Sequence, residues 1–526
     1  MKAFTEPLLS LAGFEEMTKT AEKSSGLISV TGCIDAQKSQ MIYAFGGHRK
    51  NKLIVTFGEQ KAKELYDEYS FFDKEVVYYP SKDVLFYQSD IRGNLLTAER
   101  IRALKAIREQ ERVTLVTTFD ALMNTMAPIE KMWENVLTLE QGQLLDLKEI
   151  QAALIRMGYE KEYQVQTMGQ FSVRGGILDV FPLTEENPIR IELWGDEIDT
   201  IRYFDCESQK SIENIDRVSI YPAAEIVLSD EEKAGGIDKL KAEAKRVSDK
   251  LRKQMKTEEA HRVTVMADEL TEEWGELSMY AGMDAFLSYF FDERVGLLDY
   301  FKPSDSLIFF DELTRCAEQG KLTETEFSES MKQRLAMGYI LPGQMNGLFT
   351  EKEIVAKLEK YSCIALGALD NKANGLHQLG SYGIHCQSVS PYNNSFELLI
   401  KDLKRYKKNG YRVILLSGSR TRAKRLSEDI TDQGITCFYT ENYDHELSEG
   451  QIMVCYGKVR RGFEYPILKF AVITESDIFG AQQKKKKRHR TYEGEKIQSF
   501  TDLSVGDYVV HENHGLGIYR GIEKLE

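Results

Sequence analysis

The sequence predicts a multidomain α/β protein, and three observations lead to this fold class. The chain has 526 residues, enough for three or four domains of about 150 residues each. Short β-branched or aromatic runs alternate with helical stretches over residues 1–128 and again over 351–480, which predicts parallel sheets covered by helices. Between these regions, short strands punctuated by Gly, Pro, Asn and Asp predict an inserted α+β module over 129–225.

The expected elements follow in chain order. In region 1–128 they are strands at 26–31, 53–57, 75–79 and 113–118, with helices at 40–45, 59–69 and 97–110. In the inserted module they are a helix at 147–157 and strands at 163–167, 176–181, 189–193, 198–204 and 217–221.

The second half of the chain continues this alternation. Region 226–350 holds a helical connector and the remainder of the first α/β unit. A charged helical stretch at 231–259 is expected to be a solvated helical hairpin or connector, and strands are expected at 262–267 and 306–310. Region 351–480 is a second α/β unit, with strands at 361–366, 411–417, 435–439, 451–456 and 468–474 and helices at 395–408 and 420–433.

Composition bounds the function independently of any motif. Apolar residues make up 42% of the chain and prolines number only 10, as in a packed globular protein. The net charge of −14 excludes a general polyanion binder, so contact with nucleic acid requires a local basic patch. Seven cysteines without Cys-x-x-Cys spacing argue against a zinc site and a disulfide framework. Without a signal core or a run of about 18 apolar residues, the sequence predicts a soluble cytoplasmic protein.

One loop near the N-terminus is an incomplete phosphate-binding loop. The working pattern is Gly, four residues, then Gly-Lys-Ser/Thr; Gly32, Lys38 and Ser39 match it, but Gln37 replaces the second glycine. That glycine lets backbone N–H groups point at phosphates without a Cβ in the way, so we expect the glutamine side chain to occupy the phosphate position. Asp35 adds a carboxylate to a loop that should hold anions. We predict lost nucleotide binding; an ordinary strand–loop–helix is the alternative.

A second motif follows the strand predicted at 306–310. Asp311 and Glu312 come directly after four apolar residues, the order in which a Walker B strand presents one carboxylate to Mg²⁺ and one to the attacking water. The pattern is short and common by chance. Beside an incomplete phosphate loop it indicates descent from a nucleotide hydrolase, and both interpretations stay open.

The residues after 480 differ from the α/β pattern. Segment 481–498 is predicted to be a flexible linker, with contact to a DNA backbone as the alternative. Strands are expected at 507–511 and 517–521, and two histidines there are expected to be turn residues rather than metal ligands, since no further ligands lie nearby. The basic side chains of the linker are Lys484, Lys485, Lys486, Lys487, Arg488 and Arg490.

A longer pattern carries a family resemblance. The run 169–182, Gly-Gln-Phe-Ser-Val-Arg-Gly-Gly-Ile-Leu-Asp-Val-Phe-Pro, continues through 188–199 and ends at 222–225. It resembles the module shared by the excision-repair protein UvrB and bacterial transcription-repair coupling factors. Residues 505–519 resemble the start of the CarD-like domain of coupling factors, which UvrB lacks. UvrB also has an intact phosphate loop and a long tyrosine-rich hairpin, for which the stretch after Pro80 is too short, so the coupling factors fit better.

The resemblance implies binding sites for two proteins. In this family the inserted module docks on UvrA through basic residues, whose positions here are Lys161 and Arg174; for Arg174 the alternative is a structural pair with Asp179 or Glu192. The CarD-like domain binds the β subunit of RNA polymerase, and Leu525 stands at its apolar contact. Because residues 499–526 are short for that barrel, we expect no measurable polymerase binding by this chain alone, and we expect the chain to be the front of a longer protein.

The resemblance also implies a function. The two α/β units are expected to be degenerate RecA-like lobes, the second without the arginine that contacts the γ-phosphate in a working motor. The chain would recruit UvrA and the excision machinery to RNA polymerase stalled at DNA damage. ATP, Mg²⁺ and double-stranded DNA would be bound by translocase lobes absent here, so we expect this chain not to be an enzyme and to need no cofactor. A UvrB-like ATPase that verifies damage and a non-catalytic DNA-binding scaffold are the alternatives.

Overall fold

The computed structural model describes residues 1–45, 49–82, 94–276, 282–370, 375–480, 508–511 and 515–518. The basic side chains predicted in segment 481–498, and Leu525, lie outside these residues. The strands are β1 Gly26–Thr31, β2 Asn51–Thr56, β3 Val77–Tyr79, β4 Val113–Thr118, β5 Leu137–Glu140, β6 Glu160–Lys161, β7 Gln170–Arg174, β8 Ile177–Val180, β9 Ile189–Trp194, β10 Glu197–Phe204, β11 Ser211–Ile215, β12 Arg217–Ile220, β13 Ser306–Asp311, β14 Ser362–Leu366, β15 Gln378–Gly383, β16 Gln387–Ser388, β17 Arg412–Ser417, β18 Phe438–Tyr439, β19 Ile452–Tyr456, β20 Phe463–Tyr465, β21 Phe470–Thr474, β22 Tyr508–His511 and β23 Gly515–Ile518.

Helices alternate with these strands through both α/β regions, which confirms the mixed α/β class. They are α1 Lys2–Leu9, α2 Phe14–Lys23, α3 Asp35–Phe45, α4 Glu59–Tyr69, α5 Asn94–Glu109, α6 Phe119–Met123, α7 Ile129–Glu134, α8 Leu147–Arg156, α9 Asp230–Lys253, α10 Thr257–Glu276, α11 Leu287–Phe290, α12 Leu313–Ala336, α13 Glu351–Leu358, α14 Phe396–Lys408, α15 Arg420–Asp432 and α16 Glu475–Phe479.

The largest sheet has seven strands in the order β15-β1-β14-β13-β2-β4-β3, and every pairing between them is parallel. Its central strands are apolar on both faces because a separate hydrophobic cluster covers each face. We call this sheet and its helices the first unit. Strand β14 was predicted in the second α/β unit, and this is wrong: it pairs with both β1 and β13. The loops that follow β1 and β13 therefore lie at the same edge of the sheet.

The inserted module is a six-stranded sheet, β11-β10-β9-β8-β7-β6, that is antiparallel except for the β6–β7 pair. Its apolar face packs with α8 in a core that includes Leu154, Phe171 and Ile191. The strand predicted at 163–167 is wrong, because Gln166 and Thr167 donate their backbone N–H groups to the side chain of Gln170 instead of to a neighbouring strand. The edge strand β6 is only two residues long as a result.

A helical hairpin follows the module, as the charged stretch predicted. Helices α9 and α10 pack against each other. The N-terminal part of α9 also lies close to α11, because a Cβ on Gly236 would lie 2.2 Å from the ring of Phe290. The strand predicted at 262–267 is wrong, because these residues belong to α10. Val263 and Ala267, four residues apart, are both buried against the hairpin core, so packing at helical spacing overrides the local β propensity.

The second unit is built on a six-stranded mixed sheet, β16-β20-β21-β17-β19-β18. Strands β17, β18, β19 and β21 run parallel, and β16 and β20 complete one edge in antiparallel pairings. Strands β22 and β23 form an antiparallel pair of their own, close to the strands predicted there.

One hydrophobic cluster spans the first and second units. It joins Phe4 and Phe71 of the first unit to Phe463 and Phe470 of the second, all of them buried. The approach is close: a Cβ on Gly457 would lie 3.0 Å from the ring of Phe71. The two units therefore meet through a shared core rather than across an open, water-filled cleft.

Glu68 lies at this junction and makes the stability of the junction depend on pH. Burial raises the pKa of Glu68 to about 7, against the lowering effect of the charges on Arg460 and Lys61. The pKa of Glu68 in the folded protein exceeds its unfolded value near 4.5. The contribution of Glu68 to the free energy of unfolding is therefore fully present below pH 4.5 and is lost as the pH rises through 7. We expect Glu68→Gln to raise the free energy of unfolding at pH 8 by up to about 3 kcal/mol, measured by chemical denaturation.

Glu64 is the matched control for that variant. It also faces Arg460, but the hydrogen bond from Arg460 holds the pKa of Glu64 below its usual value. Glu64→Gln should therefore reduce stability at pH 8, the opposite sign. If Glu68→Gln has the same advantage at pH 5 as at pH 8, burial of the ionised carboxylate is not its cause.

A buried ionic network ties the inserted module to the first unit. Arg100 of α5 donates to both carboxylate oxygens of Glu225, at 2.8 and 3.0 Å, and its guanidinium lies 4.1 Å from the ring centre of Tyr79. Lys82 adds a second cation 2.9 Å from the same carboxylate. Both Arg100 and Glu225 are buried, so each charge depends on its partners.

Removing the charge of Glu225 should therefore destabilise the folded protein strongly. We expect Glu225→Gln to lower the free energy of unfolding by about 3 kcal/mol, because buried Arg100 loses its carboxylate while Lys82 keeps only Asp284. Arg217→Gln, which breaks an exposed pair with Glu140, should cost less than about 1 kcal/mol. Urea denaturation of both variants tests this, and equal effects would contradict it.

Candidate functional site

Lys38, the lysine of the incomplete phosphate loop, is buried among three carboxylates. Its Nζ lies 2.5 Å from Asp311 Oδ1, 2.9 Å from Glu312 Oε1 and 3.0 Å from Asp35 Oδ1. The side chains of Lys38 and Asp311 are each only 1% exposed. The structure thus brings the two predicted motifs together, as the shared sheet edge requires. In a nucleotide hydrolase the carboxylate at the position of Asp311 would serve Mg²⁺ and that at the position of Glu312 the attacking water; here both pair with the lysine.

These contacts fix the charge states of the cluster. Burial alone would lower the pKa of Lys38, but the charge and hydrogen bond of Asp311, with the charges of Asp35 and Glu312, raise it above its usual range. Burial would raise the pKa of Asp35, yet the hydrogen bond from Lys61 and the charge of Lys38 lower it to about 2. The lysine is therefore an ammonium ion with its charge already compensated.

The backbone of the loop is also engaged. Gly32 donates its N–H to Ala368 O at 3.2 Å, Cys33 to Gly367 O at 3.0 Å and Gln37 to Ile34 O at 3.3 Å. In a working phosphate loop such N–H groups point at the phosphates. Here α3 begins at Asp35, earlier than the predicted helix start at residue 40, so the loop winds into helix before the lysine.

Gly32 is required for packing rather than for an anion. Its φ of 77° is in the left-handed region that favours glycine. A Cβ at this position would lie 2.1 Å from the carbonyl oxygen of Ile384, which no side chain could tolerate. The glycine that matches the motif therefore has a structural role in this chain.

Gln37 is directed toward the second unit, away from the lysine cluster. The hydroxyl of Tyr465 lies 3.3 Å from Gln37 Oε1 and 3.2 Å from Gln40 Oε1, and all three side chains are buried. The glutamine that replaces the glycine is thus part of the contact between the units. Ser39, the last motif residue, is buried, and its hydroxyl has no hydrogen-bond partner in the described part of the chain.

The residues after β13 complete the closed arrangement. Asp311 Oδ2 accepts a hydrogen bond from Thr56 at 2.9 Å, and Glu312 Oε1 accepts from the backbone N–H of Ala368 at 3.3 Å. Glu312 has a φ of 59°, a left-handed conformation that costs a non-glycine residue about 1–2 kcal/mol. As arranged, these groups satisfy one another and do not fit a magnesium-bound triphosphate, which needs the lysine and the carboxylate to be separate.

This arrangement makes Lys38 a stability determinant. We expect Lys38→Met to lower the free energy of unfolding by about 3–5 kcal/mol, because it leaves Asp311 buried without its cation. A lysine that serves only to bind a phosphate could be removed with little loss of stability. Denaturant unfolding measures the difference.

Two further variants complete the test of Lys38. Lys61→Met, which removes only the outer partner of the largely exposed Asp35, should cost less than about 1 kcal/mol. Adding Asp311→Asn to Lys38→Met should recover part of the loss, since the uncompensated charge is gone. If Lys38→Met unfolds at the wild-type denaturant concentration, the cluster is not structural.

Arg174, predicted on the inserted module, shares one carboxylate with a second arginine. Asp179 is buried and accepts from Arg190 at 2.7 and 2.8 Å, while Arg174 adds one hydrogen bond of 2.8 Å. The side chain of Arg174 is 36% exposed, whereas that of Arg190 is 12% exposed and stacks on Phe204. Arg190 alone can neutralise Asp179, so Arg174 can turn to another carboxylate without leaving a buried charge unpaired.

Lys161, the other predicted docking residue, lies on the opposite side of the sheet. Its Nζ donates to Gln151 of α8 at 2.8 Å, and its strand position is paired with Phe171, whose side chain belongs to the apolar core. Arg174 belongs to the polar face, three residues further along β7. The structure therefore does not bring the two predicted residues together, although both are near the β6 edge.

Two exposed aromatic residues of the inserted module escaped the sequence analysis. Tyr163 is 84% exposed and its carbonyl accepts from Ser172 of β7; Trp194, at the end of β9, is 85% exposed. Strand alternation places Trp194 on the polar face of the sheet with Arg174. Large exposed aromatic side chains are typical of protein interfaces. A tryptophan followed by Gly-Asp at a hairpin turn was the signal available in the sequence.

Among the residues that the structure describes, no group of three or more His, Cys, Asp or Glu side chains is arranged to hold a metal ion. None of the described helices is long and apolar enough to cross a membrane.

Two segments of the chain match known protein families. Residues 137–226 match the family model of the UvrB interaction domain, and residues 503–526 match that of the CarD-like/TRCF RID domain. The transcription-repair-coupling factor of Bacillus subtilis strain 168 is 29% identical over 90% of this chain and 40% of its own length. That of Staphylococcus haemolyticus is 29% identical over 95% of the chain and 42% of its length, and that of Staphylococcus aureus strain MRSA252 is 28% identical over 98% and 43%.

These matches run along nearly the whole chain. The chain spans about two fifths of the length of the curated relatives it matches. The resemblance to transcription-repair coupling factors that the sequence predicted is therefore confirmed, from the inserted module to the CarD-like segment.

Proposed function

We propose that this chain is a binding body of a transcription-repair coupling system, which docks on UvrA through the inserted module. One observation carries the proposal: Arg174 is a second cation on a carboxylate that Arg190 already neutralises. A partly exposed guanidinium that is not needed by its own fold is available for a partner carboxylate. Exposed Tyr163 and Trp194 of the same module would supply apolar contact area.

The two large sheets form the second part of the proposal. We interpret them as RecA-like lobes that have exchanged nucleotide binding for mutual packing. Lys38 is compensated internally, Gln37 contacts Tyr465 of the other unit, and a hydrophobic cluster fills the space between the units. Such a body holds partners in fixed geometry and needs neither ATP nor magnesium. The alternative, a UvrB-like ATPase that verifies damage, would require this cluster to open.

The remaining roles belong to the whole protein and rest on the relatives. The segment that matches the CarD-like domain would begin a contact with the β subunit of RNA polymerase, with Leu525 at its apolar point. Recruitment of the excision machinery to a stalled polymerase in the cytoplasm would follow from joining this contact to UvrA docking. Displacement of the polymerase by an ATP-driven translocase on double-stranded DNA would reside in other parts of such a protein.

UvrA binding tests the docking face directly. We expect Arg174→Gln to weaken binding of UvrA from the same organism at least tenfold, or about 1.4 kcal/mol, in isothermal titration calorimetry. Arg174→Lys should give an intermediate loss, because an ammonium cannot form the bidentate contact of a guanidinium. Both variants should melt near the wild-type temperature, since Arg190 keeps Asp179 paired.

Arg156, exposed at the end of α8 on the other side of the module, is the matched control. Arg156→Gln should bind UvrA like the wild type. Undiminished binding by Arg174→Gln, or an equal loss in both variants, would contradict docking through the polar face. If only Lys161→Gln weakened UvrA binding, the interface would lie on the α8 face of the module instead.

Nucleotide titration tests the closed lobe. We expect no saturable binding of Mg-ATP at micromolar concentrations, and no gain in Gln37→Gly, because Lys38 stays paired with Asp35, Asp311 and Glu312. Fluorescence of a labelled nucleotide measures this. Micromolar affinity that is abolished in Lys38→Ala would favour the ATPase alternative.

A further inference from the structure

The turn between α9 and α10 carries a dense group of cations on a chain that is acidic overall. Residues 245–256, which we call the hairpin tip, contain six basic residues and one acidic residue, Asp249, whereas the whole chain has a net charge of −14. All six basic side chains are exposed, and none lies within 4.0 Å of a carboxylate oxygen in the part of the chain that the structure describes. They are Lys245, Arg246, Lys250, Arg252, Lys253 and Lys256.

These cations share one side of the hairpin. Ala244, Ser248 and Leu251 are the buried positions on the last turns of α9; Arg246, Lys250 and Lys253 lie opposite them, Lys245 and Arg252 flank them, and Lys256 follows in the turn. From Lys245 to Lys253 the helix advances about 12 Å. The array is thus about as long as the major groove of DNA is wide, about 12 Å.

The helix dipole explains only part of this array. Cations are favoured in the last turn of a helix, which accounts for Lys250, Arg252 and Lys253. The effect decays within that turn, whereas Lys245 lies two turns before the helix end and Lys256 lies beyond it. Glu258 and Glu259, in the first turn of α10, satisfy the dipole of the second helix and face its N-terminus.

Met255 occupies a strained backbone position in the turn of the hairpin tip. The turn closes α9 with a backbone bond from Lys256 N–H to Leu251 O of 3.0 Å and one from Met255 N–H to Arg252 O of 3.0 Å. This is a Schellman arrangement, whose left-handed position is normally glycine. Met255 occupies it with a φ of 63° and a side chain that is 86% exposed. The residue therefore strains the turn, and its exposed side chain makes little packing contact that would offset the strain.

We propose that the hairpin tip binds double-stranded DNA, with the basic side chains on backbone phosphates and Met255 against a groove. Regularly spaced phosphates match a row of long, unpaired cations. Apolar side chains, methionine among them, are used by DNA-binding proteins as wedges at the minor groove. This contact is separate from UvrA docking, which the inserted module would carry.

A protein partner fits the tip less well. Protein interfaces of ordinary size bury about 800 Å² on each side around an apolar core. Within the hairpin tip Met255 is the one exposed large apolar side chain, and Val247 and Leu251 are turned toward the hairpin. The surface thus has the charge for a polyanion without the apolar core of a protein interface.

Fluorescence anisotropy with a labelled 20-base-pair duplex tests the proposal on the full chain at several salt concentrations. Neutralising Lys245, Lys250, Lys253 and Lys256 together as Lys→Gln should weaken binding at least tenfold at low salt. It should also reduce the slope of log affinity against log salt by about 3–4, near 0.9 per lost phosphate contact. The tip variant and the protein with an unchanged tip are both measured in a background where Lys484, Lys485, Lys486 and Lys487 are changed to Gln. The lysines of the segment after 480 then do not contribute to the difference.

The matched control carries the same number of neutralised lysines on another exposed helix. Lys401, Lys404, Lys407 and Lys408 of α14, changed together to Gln, should alter DNA affinity less than twofold. Equal loss in the two variants would overturn the proposal, because it would show a response to net charge alone. Unchanged affinity in the tip variant would overturn it as well.

Met255→Gly separates the binding role from a structural one. Glycine relieves the left-handed strain, so the variant should melt at a higher temperature than the wild type. We expect its DNA affinity to fall about threefold or more all the same, with an unchanged salt slope, because no phosphate contact is lost. Greater thermal stability with full DNA affinity would remove Met255 from the interface.

Discussion

The buried ammonium of Lys38, held by Asp35, Asp311 and Glu312, is the interaction on which the first unit depends. A lone buried charge is far too costly to persist, so the cation and its carboxylates must be kept or lost together. The same contact joins the loop after β1 to the loop after β13 across the intervening strand β14. It therefore closes the carboxyl edge of the parallel sheet, the place where open α/β sheets ordinarily bind ligands.

Closure at this edge explains the contact between the two units. Once the lysine and carboxylates neutralise one another, nothing charged has to remain accessible between the sheets. Gln37 can then turn outward to Tyr465, and apolar side chains from both units can share one core. A motor needs its lobes to open and close around a nucleotide, whereas a shared core of this kind resists opening. The shared core therefore favours one fixed arrangement of the two units.

Sequence reasoning reached the parallel first sheet, the antiparallel module and the helical hairpin because each follows from a local period or turn pattern. It linked Asp311 and Glu312 to the loop of Lys38 because the two motifs occur together in nucleotide hydrolases. It failed where long-range packing decides. Strand β14 joins the first sheet although it follows the whole inserted module, and residues 262–267 are helical because their buried side chains recur at helical spacing.

The directions in which individual side chains point could not be predicted from the sequence either. A missing glycine indicated a blocked phosphate site, but not that Gln37 would reach across to another unit. For Arg174 the docking and structural interpretations seemed exclusive, yet the geometry makes them compatible. Asp179 holds two arginines, and the better buried Arg190 is sufficient for the fold. A residue can thus be paired in the free protein and still be available to a partner, provided that its release leaves no buried charge unpaired.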